Sequence, residues 1–165
     1  MKPYVLGIDI GGTNTVFGIV DARGVVIASS SIKTLKHADV KDYIDELYEN
    51  VMRLLEANDA VEKIHGIGIG APNANYYTGM IEKLVNIPWP TPLPFAQMVS
   101  EKFGIPVAIT NDANAAAIGE MTYGAARGMK NFIMITLGTG VGSGIVINGQ
   151  LVYGHDGFAG ELGHT

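Results

Sequence analysis

The sequence predicts an α/β protein. A central stretch of alternating strands and helices lies between two groups of antiparallel strands. Short β-rich runs separated by glycine turns occur near both ends of the chain, over residues 4–31 and 132–153. Between them, apolar runs typical of strands alternate with segments whose apolar residues recur at helical spacing. The chain has 165 residues, 47% of them hydrophobic, which is enough for a buried core in one domain or slightly more.

Each element is predicted from its local pattern and from the turn residues that bound it. The predicted strands span residues 4–10, 15–20, 25–31, 64–69, 107–110, 132–136, 144–147 and 151–153. The predicted helices span residues 39–57, 95–103 and 113–123. The stretch 71–94 is rich in proline, asparagine and glycine, and a loop of this length in a compact domain is typically functional or mobile.

Composition and charge exclude several classes of protein. The net charge of -5 and the absence of a Lys/Arg cluster argue against a nucleic-acid partner. The chain has no cysteine, which excludes disulfides and thiolate metal sites and suits a reducing cytosol. The first apolar run, 4–8, is too short for a signal peptide or a membrane span. We therefore expect a cytoplasmic protein without a membrane partner.

Two glycine turns are candidate phosphate sites, because glycines let backbone N–H groups converge on an anion. The candidate ligands are Asp9, Gly11, Gly12, Thr13 and Asn14 in the first turn, and Gly138, Thr139 and Gly140 in the second. Asp9 is also a candidate ligand of the Mg²⁺ that accompanies a nucleotide, since this ion prefers one or two carboxylates with phosphates and water. Neither turn matches a Walker loop or G-x-G-x-x-G. The alternative is that the glycines only form tight hairpins.

A polar cluster, Asn111-Asp112-Ala113-Asn114, stands between a predicted strand end and a helix start, which is a favourable ligand position in an α/β fold. The Asp112 carboxylate could accept a hydroxyl proton as that oxygen attacks phosphorus, and Asn111 could hold neighbouring sugar hydroxyls. The structural alternative is that Asp112 is the N-cap of the helix.

Three further positions are candidate sugar contacts. Glu161 and His164 lie in a glycine-rich segment that could wrap a small polar ligand, because recognition of a polyol needs mixed donors and acceptors. His164 could also bind a metal, although no second ligand is near it in sequence. Gly70 ends a predicted strand before Ala71-Pro72 and could approach a ligand.

Four motifs in order make the chain resemble the ROK group of bacterial sugar kinases and repressors, and specifically the N-terminal part of its glucokinase-like members. The motifs are Asp9-x-Gly11-Gly12-Thr13, Asn111-Asp112-Ala113-Asn114, Leu137-Gly138-Thr139-Gly140-x-Gly142 and Gly160-Glu161-x-Gly163-His164. The resemblance implies an actin-like, ribonuclease-H-like ATPase fold with two domains around a cleft. We expect an N-terminal domain over 1–115 and the beginning of a second domain over 116–165.

The resemblance also implies roles for the motif residues. ATP phosphates would lie at the two glycine turns, and Asp112 would be the base that activates the 6-hydroxyl of a hexose, most simply glucose. Asn111, Glu161 and His164 would contact the sugar, with Asn86 and Gly70 as further candidates. The expected cofactors are ATP and Mg²⁺, and a homo-oligomeric parent, a dimer or tetramer, is expected.

One departure from the family pattern affects zinc and activity. In the family the histidine is followed by a cysteine-rich loop that binds structural Zn²⁺, whereas this chain stops at Thr165. We therefore expect His164 to bind zinc only if downstream cysteines are present, and we expect the 165-residue chain alone to be inactive. Fructose, mannose and N-acetylhexosamine kinases stay open as alternatives. So do a sugar-responsive transcriptional regulator and a non-catalytic actin-like nucleotide-binding module.

Overall fold

The computed structural model describes residues 2–84, 87–138 and 140–164. The strands in this part of the chain are β1 (Tyr4–Ile10), β2 (Asn14–Asp21), β3 (Val26–Lys33), β4 (Ile64–Gly70), β5 (Val107–Thr110), β6 (Phe132–Leu137), β7 (Val141–Ile147) and β8 (Gln150–Leu151). The α-helices in this part are α1 (Val40–Ala57), α2 (Phe95–Phe103) and α3 (Asp112–Tyr123). Every predicted strand and helix is present, and the predicted α/β class is confirmed.

The first sheet has the strand order β3-β2-β1-β4-β5 in the described chain. Strands β1, β2 and β3 form an antiparallel meander, whereas β4 pairs in parallel with β1 and β5 pairs in parallel with β4. Parallel neighbours need crossover connections, which α1 and α2 provide. As a result, the carboxyl ends of β1, β4 and β5 meet at one edge of the sheet.

The main core lies between one face of this sheet and α1. Alternate residues of β1 are buried at positions 6, 8 and 10, as the pleat of a strand requires. Helix α1 contributes an apolar stripe to the same core, including Tyr43, Leu47 and Val51. Asp39 caps this helix by accepting a hydrogen bond from the Lys41 N–H at 2.7 Å.

The long loop predicted over 71–94 is packed against the core in the part that the structure describes. Single-residue bridges join Ala74 to Ile81 and Ile81 to Leu93. The buried Trp89 lies 4.5 Å from the ring of Tyr43, measured between ring centroids. Apolar anchors therefore hold this loop where it can form one wall of a site.

The second sheet, with the strand order β6-β7-β8 in the described chain, rests on α3. Strand β7 begins at Val141, earlier than predicted, because its glycines are strand residues and not part of a loop. A Cβ on Gly144 would lie 2.5 Å from Ala117 Cβ, so only glycine allows this close approach of strand and helix.

Strand β8 and helix α3 lie where the sequence predicted a strand and a domain boundary. The predicted strand 151–153 is too long, because β8 ends at Leu151 and the Tyr153 ring instead stacks on Tyr76, with centroids 4.4 Å apart. The proposed domain boundary between residues 115 and 116 falls inside α3, which packs against both β4 and β7.

Within the described residues, no helix is long and apolar enough to cross a membrane.

Candidate active site

A cleft of ≈ 870 Å³ lies between the two glycine turns, at the edge where β1, β4 and β5 end. It brings together residues that are far apart in sequence. The predicted site residues that line it are Asp9, Gly11, Gly12, Thr13, Asn111, Asp112, Gly138, Gly140 and Glu161. Asn86, Thr139 and the side chain of His164 lie outside the described residues, so their predicted roles stay predictions.

The first glycine turn contains two glycines that serve different purposes. The Gly11 N–H donates to Asn14 O at 3.0 Å, and a Cβ on Gly11 would lie only 2.9 Å from that same oxygen. The turn itself therefore requires glycine at position 11. At Gly12, by contrast, a Cβ would meet no atom within 4 Å, so no packing contact explains the glycine there.

The second glycine turn is also open toward the cleft. The Gly138 N–H donates to Gly140 O at 3.0 Å, which closes the turn. A Cβ on either glycine would meet no atom within 4 Å, and neither has a positive φ. Open space at three glycines around one cleft is typical of backbone that a ligand approaches closely.

Backbone donors line the first turn. In the described part of the chain, no hydrogen-bond acceptor is present for the N–H groups of Gly12 and Thr13. Asn14 begins β2 and is not among the residues that line the cleft, so its predicted phosphate contact stays a prediction. Its side-chain oxygen accepts a hydrogen bond from Lys33 Nζ at 2.9 Å.

Two carboxylates of the cleft lie near each other, Asp9 close to the C-terminal end of β1 and Asp112 at the N-terminal end of α3. Burial, and secondly the charge of Asp112, raise the pKa of Asp9 above its ordinary value. The buried Gly70 separates the two acids, because a Cβ there would lie 3.7 Å from both Asp9 Oδ1 and Asp112 Cα. Gly70 does not line the main cleft, and its predicted contact with a sugar stays a prediction.

The N-terminus of α3 settles which residue is the helix cap. Asn111 is the N-cap, and its Oδ1 accepts a hydrogen bond from the Asn114 N–H at 2.7 Å. The interpretation of Asp112 as the N-cap is therefore wrong. Asp112 is the first residue of the helix and is exposed to the cleft, with Oδ1 accepting from the Ala113 N–H at 2.8 Å.

Asn111 also connects the two halves of the chain. Its Nδ2 donates to Glu161 Oε1 at 3.0 Å, across 50 positions of sequence. The Ser143 hydroxyl donates to Gly160 O, next to Glu161. These bonds fix the segment that carries the Glu161 carboxylate at the rim of the cleft.

Sequence reasoning missed one residue that supports this segment. Asn75, in the loop after β4, donates from Nδ2 to Asp156 O at 2.9 Å and so joins the loop to the other half of the chain. Its Oδ1 accepts from the Tyr77 N–H at 2.9 Å. The buried side chain is a single asparagine in a loop rich in asparagine, and no periodicity marked it.

The cleft has a strongly acidic lining. Asp9, Asp112 and Glu161 contribute carboxylates, whereas no Lys, Arg or His is among the described residues that line it. The described residues contain no group of three or more His, Cys, Asp or Glu that could hold a metal ion. Two neighbouring carboxylates beside open backbone donors nevertheless fit Mg²⁺, which takes one or two carboxylates together with phosphate oxygens.

Two sheets, a helix packed on both of them, and a glycine turn from each sheet facing one cleft define the actin-like ATPase fold. The chain belongs to the ROK family, whose family model matches residues 5–165.

Individual relatives include both kinases and regulators. A glucokinase from Halalkalibacterium halodurans is 38% identical, with 98% of this chain and 49% of the relative covered. A xylose repressor from Caldicellulosiruptor bescii is 34% identical, with 98% and 41% covered. An N-acetylmannosamine kinase from Vibrio cholerae is 35% identical, with 96% and 53% covered. The chain thus spans about half the length of the curated relatives it matches.

Solved structures of ROK family kinases also resemble this chain. A ROK family glucokinase from Streptomyces griseus, in complex with glucose and AMPPNP, has a TM-score of 0.79 and 33% identity, with 98% of this chain and 50% of that chain covered. A ROK hexokinase from Thermus thermophilus has a TM-score of 0.85 and 32% identity, with 98% and 53% covered. The fold is therefore that of ROK sugar kinases over the length of this chain.

Proposed function

We propose that this chain forms the phosphate-binding and sugar-binding half of an ATP-dependent hexose kinase, with glucose as the preferred hexose. The observation that carries the proposal is the space kept open at Gly12, Gly138 and Gly140 around an acidic cleft. None of these glycines is required by packing or by a positive φ, so their role is to let phosphate groups approach the backbone.

The phosphate groups of ATP are proposed to accept hydrogen bonds from the N–H groups of Gly12 and Thr13. Three carboxylates around the cleft would repel a triphosphate, so nucleotide binding needs a compensating cation. Asp9 is proposed as the carboxylate nearest to that ion. Mg²⁺, when bound, neutralises charge on the phosphates.

Asp112 is the proposed general base. Its carboxylate is exposed to the cleft and is not the helix cap, so it is free to face a substrate hydroxyl. The hexose 6-oxygen forms a bond to the γ-phosphorus while the bond from that phosphorus to the bridging oxygen of ADP breaks. The hydroxyl proton passes to Asp112, and ADP leaves with the bonding electron pair.

Glu161 and Asn111 are proposed to hold other sugar hydroxyls. The hydrogen bond between them fixes the orientation of both side chains before the sugar arrives, which reduces the entropic cost of binding. His164 and Asn86 are proposed as further sugar contacts, and His164 as a zinc ligand only where cysteines follow it. We further propose a cytoplasmic, homo-oligomeric parent.

The identity of the hexose rests on the relatives. Glucokinases are among them, and the Streptomyces griseus structure contains glucose and AMPPNP. Fructose, mannose and N-acetylhexosamines are the alternatives, and an N-acetylmannosamine kinase is also among the relatives. One polar contact more or less can separate such substrates.

A second candidate is a sugar-responsive regulator that binds a sugar without phosphorylating it. Similarity to a xylose repressor over 98% of this chain favours it. The acid at position 112 discriminates between the two functions, because a regulator needs no general base.

The test is a coupled ADP-release assay with Mg·ATP and a panel of hexoses. It is run on the 165-residue chain and, where the gene encodes further residues, on the longer product. Because this chain spans about half the length of its relatives, we expect ADP release from the longer product. Asp112→Asn should lower that turnover by about 10² to 10⁴.

A matched control is Asp156→Asn, since that side chain is exposed on a loop away from the cleft. Turnover by Asp112→Asn at the level of the control would overturn the assignment of the base. Binding of a hexose without any ADP release would favour the regulator.

A further inference from the structure

A chain of three buried hydroxyl groups lies beneath the first glycine turn. Tyr43 Oη lies 2.6 Å from Thr15 Oγ1, which lies 3.0 Å from Thr34 Oγ1. The Thr34 hydroxyl donates to Gly11 O at 2.7 Å. All three residues are 0% exposed, so water cannot replace these bonds.

The direction of every hydrogen bond in this chain is fixed by its last acceptor. A carbonyl oxygen can only accept, so the one hydroxyl proton of Thr34 is used on Gly11 O. Thr15 must then donate to Thr34, and Tyr43 must donate to Thr15. Burial raises the pKa of Tyr43, which keeps the phenol protonated as this order requires.

Thr34 holds the glycine turn at two points. Besides the bond from its hydroxyl to Gly11 O, its backbone N–H donates to Thr13 O at 3.0 Å. Both carbonyl groups therefore point down toward Thr34, one on either side of Gly12.

Peptide geometry then fixes the direction of a donor on the opposite side. The carbonyl of Gly11 and the N–H of Gly12 belong to one planar trans peptide group, in which they point in opposite directions. When Thr34 draws the carbonyl toward the core, the Gly12 N–H must point away from the core. Gly12 lines the cleft, and its N–H has no hydrogen-bond acceptor among the described residues, so this donor is available to a ligand in the cleft.

We infer that Thr34 is a positioning residue for nucleotide binding, which aims the Gly12 N–H at a phosphate group through the Gly11 carbonyl. This inference rests on the proposed function. Thr15 and Tyr43 support Thr34 from below by fixing which way its proton points. The energetic gain is that the phosphate donor is oriented before the nucleotide arrives.

The test compares Thr34→Val and Thr34→Ser with a control substitution, with Mg·AMPPNP and glucose as separate titrants in calorimetry. Thr34→Val keeps the shape but removes the hydroxyl, and we expect about a tenfold weaker affinity for Mg·AMPPNP, as the loss of one hydrogen bond to a charged group implies. Glucose affinity should stay within about twofold. Thr34→Ser keeps the hydroxyl and should restore nucleotide affinity.

Ser100→Ala is the matched control. It removes a hydrogen bond of the same type, from a hydroxyl to the Ile105 carbonyl at 3.0 Å, in the same half of the chain but away from the turn. A purely structural role for Thr34 predicts that both variants lower the melting temperature and leave nucleotide affinity unchanged. That result would overturn the inference.

Two further readouts separate the possible failures. If Thr34→Val does not fold, Thr15→Val removes the donor to Thr34 and should still weaken Mg·AMPPNP binding several-fold, and unchanged affinity would overturn the inference. Nucleotide binding by the unsubstituted protein with no effect of either substitution would refute the role of Thr34 but leave the proposed function intact. A lack of nucleotide binding by the unsubstituted longer product would refute both.

Discussion

The turn at 11–13 joins strands whose inner side chains are buried beneath α1, whereas the turn at 138–140 joins strands with one face exposed. Around the first turn, Ile10 is 1% exposed and the supporting hydroxyl chain is fully buried. Around the second, Leu137 is 81% exposed and Ile135 is 57% exposed. The two turns face the same cleft from very different supports.

This difference separates what a local motif determines from what packing determines. Glycine and the strand pair are enough to form either turn, since each closes with one short backbone hydrogen bond. Within the residues that the structure describes, a side chain from below holds the first turn alone, through the Gly11 carbonyl. We therefore expect the first turn to be rigid and the second to depend more on its ligand for a fixed position.

The largest expected contrast is in stability. Ile10→Ala removes buried methyl groups beside the first turn and should lower the free energy of unfolding by about 2–5 kcal/mol. Ile135→Ala, beside the second turn, should change it by no more than about 0.5 kcal/mol. Urea denaturation of both variants measures the contrast. Equal losses would mean that the outer face of β6 is covered in solution.

A second contrast uses a single added methyl group in each turn. Gly11→Ala would clash with Asn14 O, and overpacking of this kind costs about 1–3 kcal/mol of stability. Gly138→Ala meets no protein atom, so it should leave stability unchanged and yet weaken Mg·AMPPNP binding. Thermal unfolding and calorimetry together test this. Unchanged nucleotide affinity in Gly138→Ala would remove the second turn from the phosphate site.

A third prediction concerns the hydrogen bond between Asn111 and Glu161, which joins the start of α3 to the C-terminal segment. Asn111→Ala removes a helix cap, at a cost of about 1 kcal/mol, and also removes the hydrogen bond to Glu161 Oε1. Asp39→Ala is the control, because it removes the cap of α1 without touching the cleft. Both should lower stability to a similar extent. Only Asn111→Ala should also weaken glucose binding, and equal glucose affinities would argue against the role of this bond.

The smallest expected effect is on pH dependence. The pKa of Asp9 is raised in the folded chain, so its contribution to stability is present below the unfolded pKa and is lost as pH rises through the folded pKa. Asp9→Asn should therefore melt at a higher temperature than the unsubstituted chain at pH 7, with a smaller difference in acid.

Asp112→Asn should in addition lower the pKa of Asp9, because it removes the second cause of the shift. A carboxyl NMR titration of Asp9 measures this directly, with Asp156→Asn as the control. A pKa of Asp9 that does not respond to the loss of Asp112 would mean that the two acids do not interact.

Most of the fold could be predicted from the sequence, because the first meander and the three helices carry strong local signals. Strand β1 has alternating burial, α1 has a continuous apolar stripe, and Gly104 ends α2 in the left-handed conformation with φ 65°. The predicted strand bounds are wrong where tertiary contacts prevail over the local sequence pattern, as in β7 and β8. Glycines in β7 resemble loop residues until α3 packs against them.

Site residues could be predicted from the sequence where they belong to a motif of glycines or acids. Residues that act through hydrogen bonds to distant side chains or carbonyl groups could not. The acids and glycines of the cleft were found because their residue types limit what they can do. The roles of Thr34 and Asn75 were not, since an isolated Thr or Asn has many uses and its partners are 23 and 81 positions away. The cap at Asn111 was missed because Asp112 is an equally good capping residue by type.

The contact between α3 and β7 is made by alanine and glycine at its closest points. Ala113 and Ala117 meet Gly142 and Gly144 with little more than methyl groups and backbone between them. No long side chain in this contact can change rotamer to absorb a displacement. Covalent geometry therefore sets the spacing of helix α3 and strand β7 where these four residues meet.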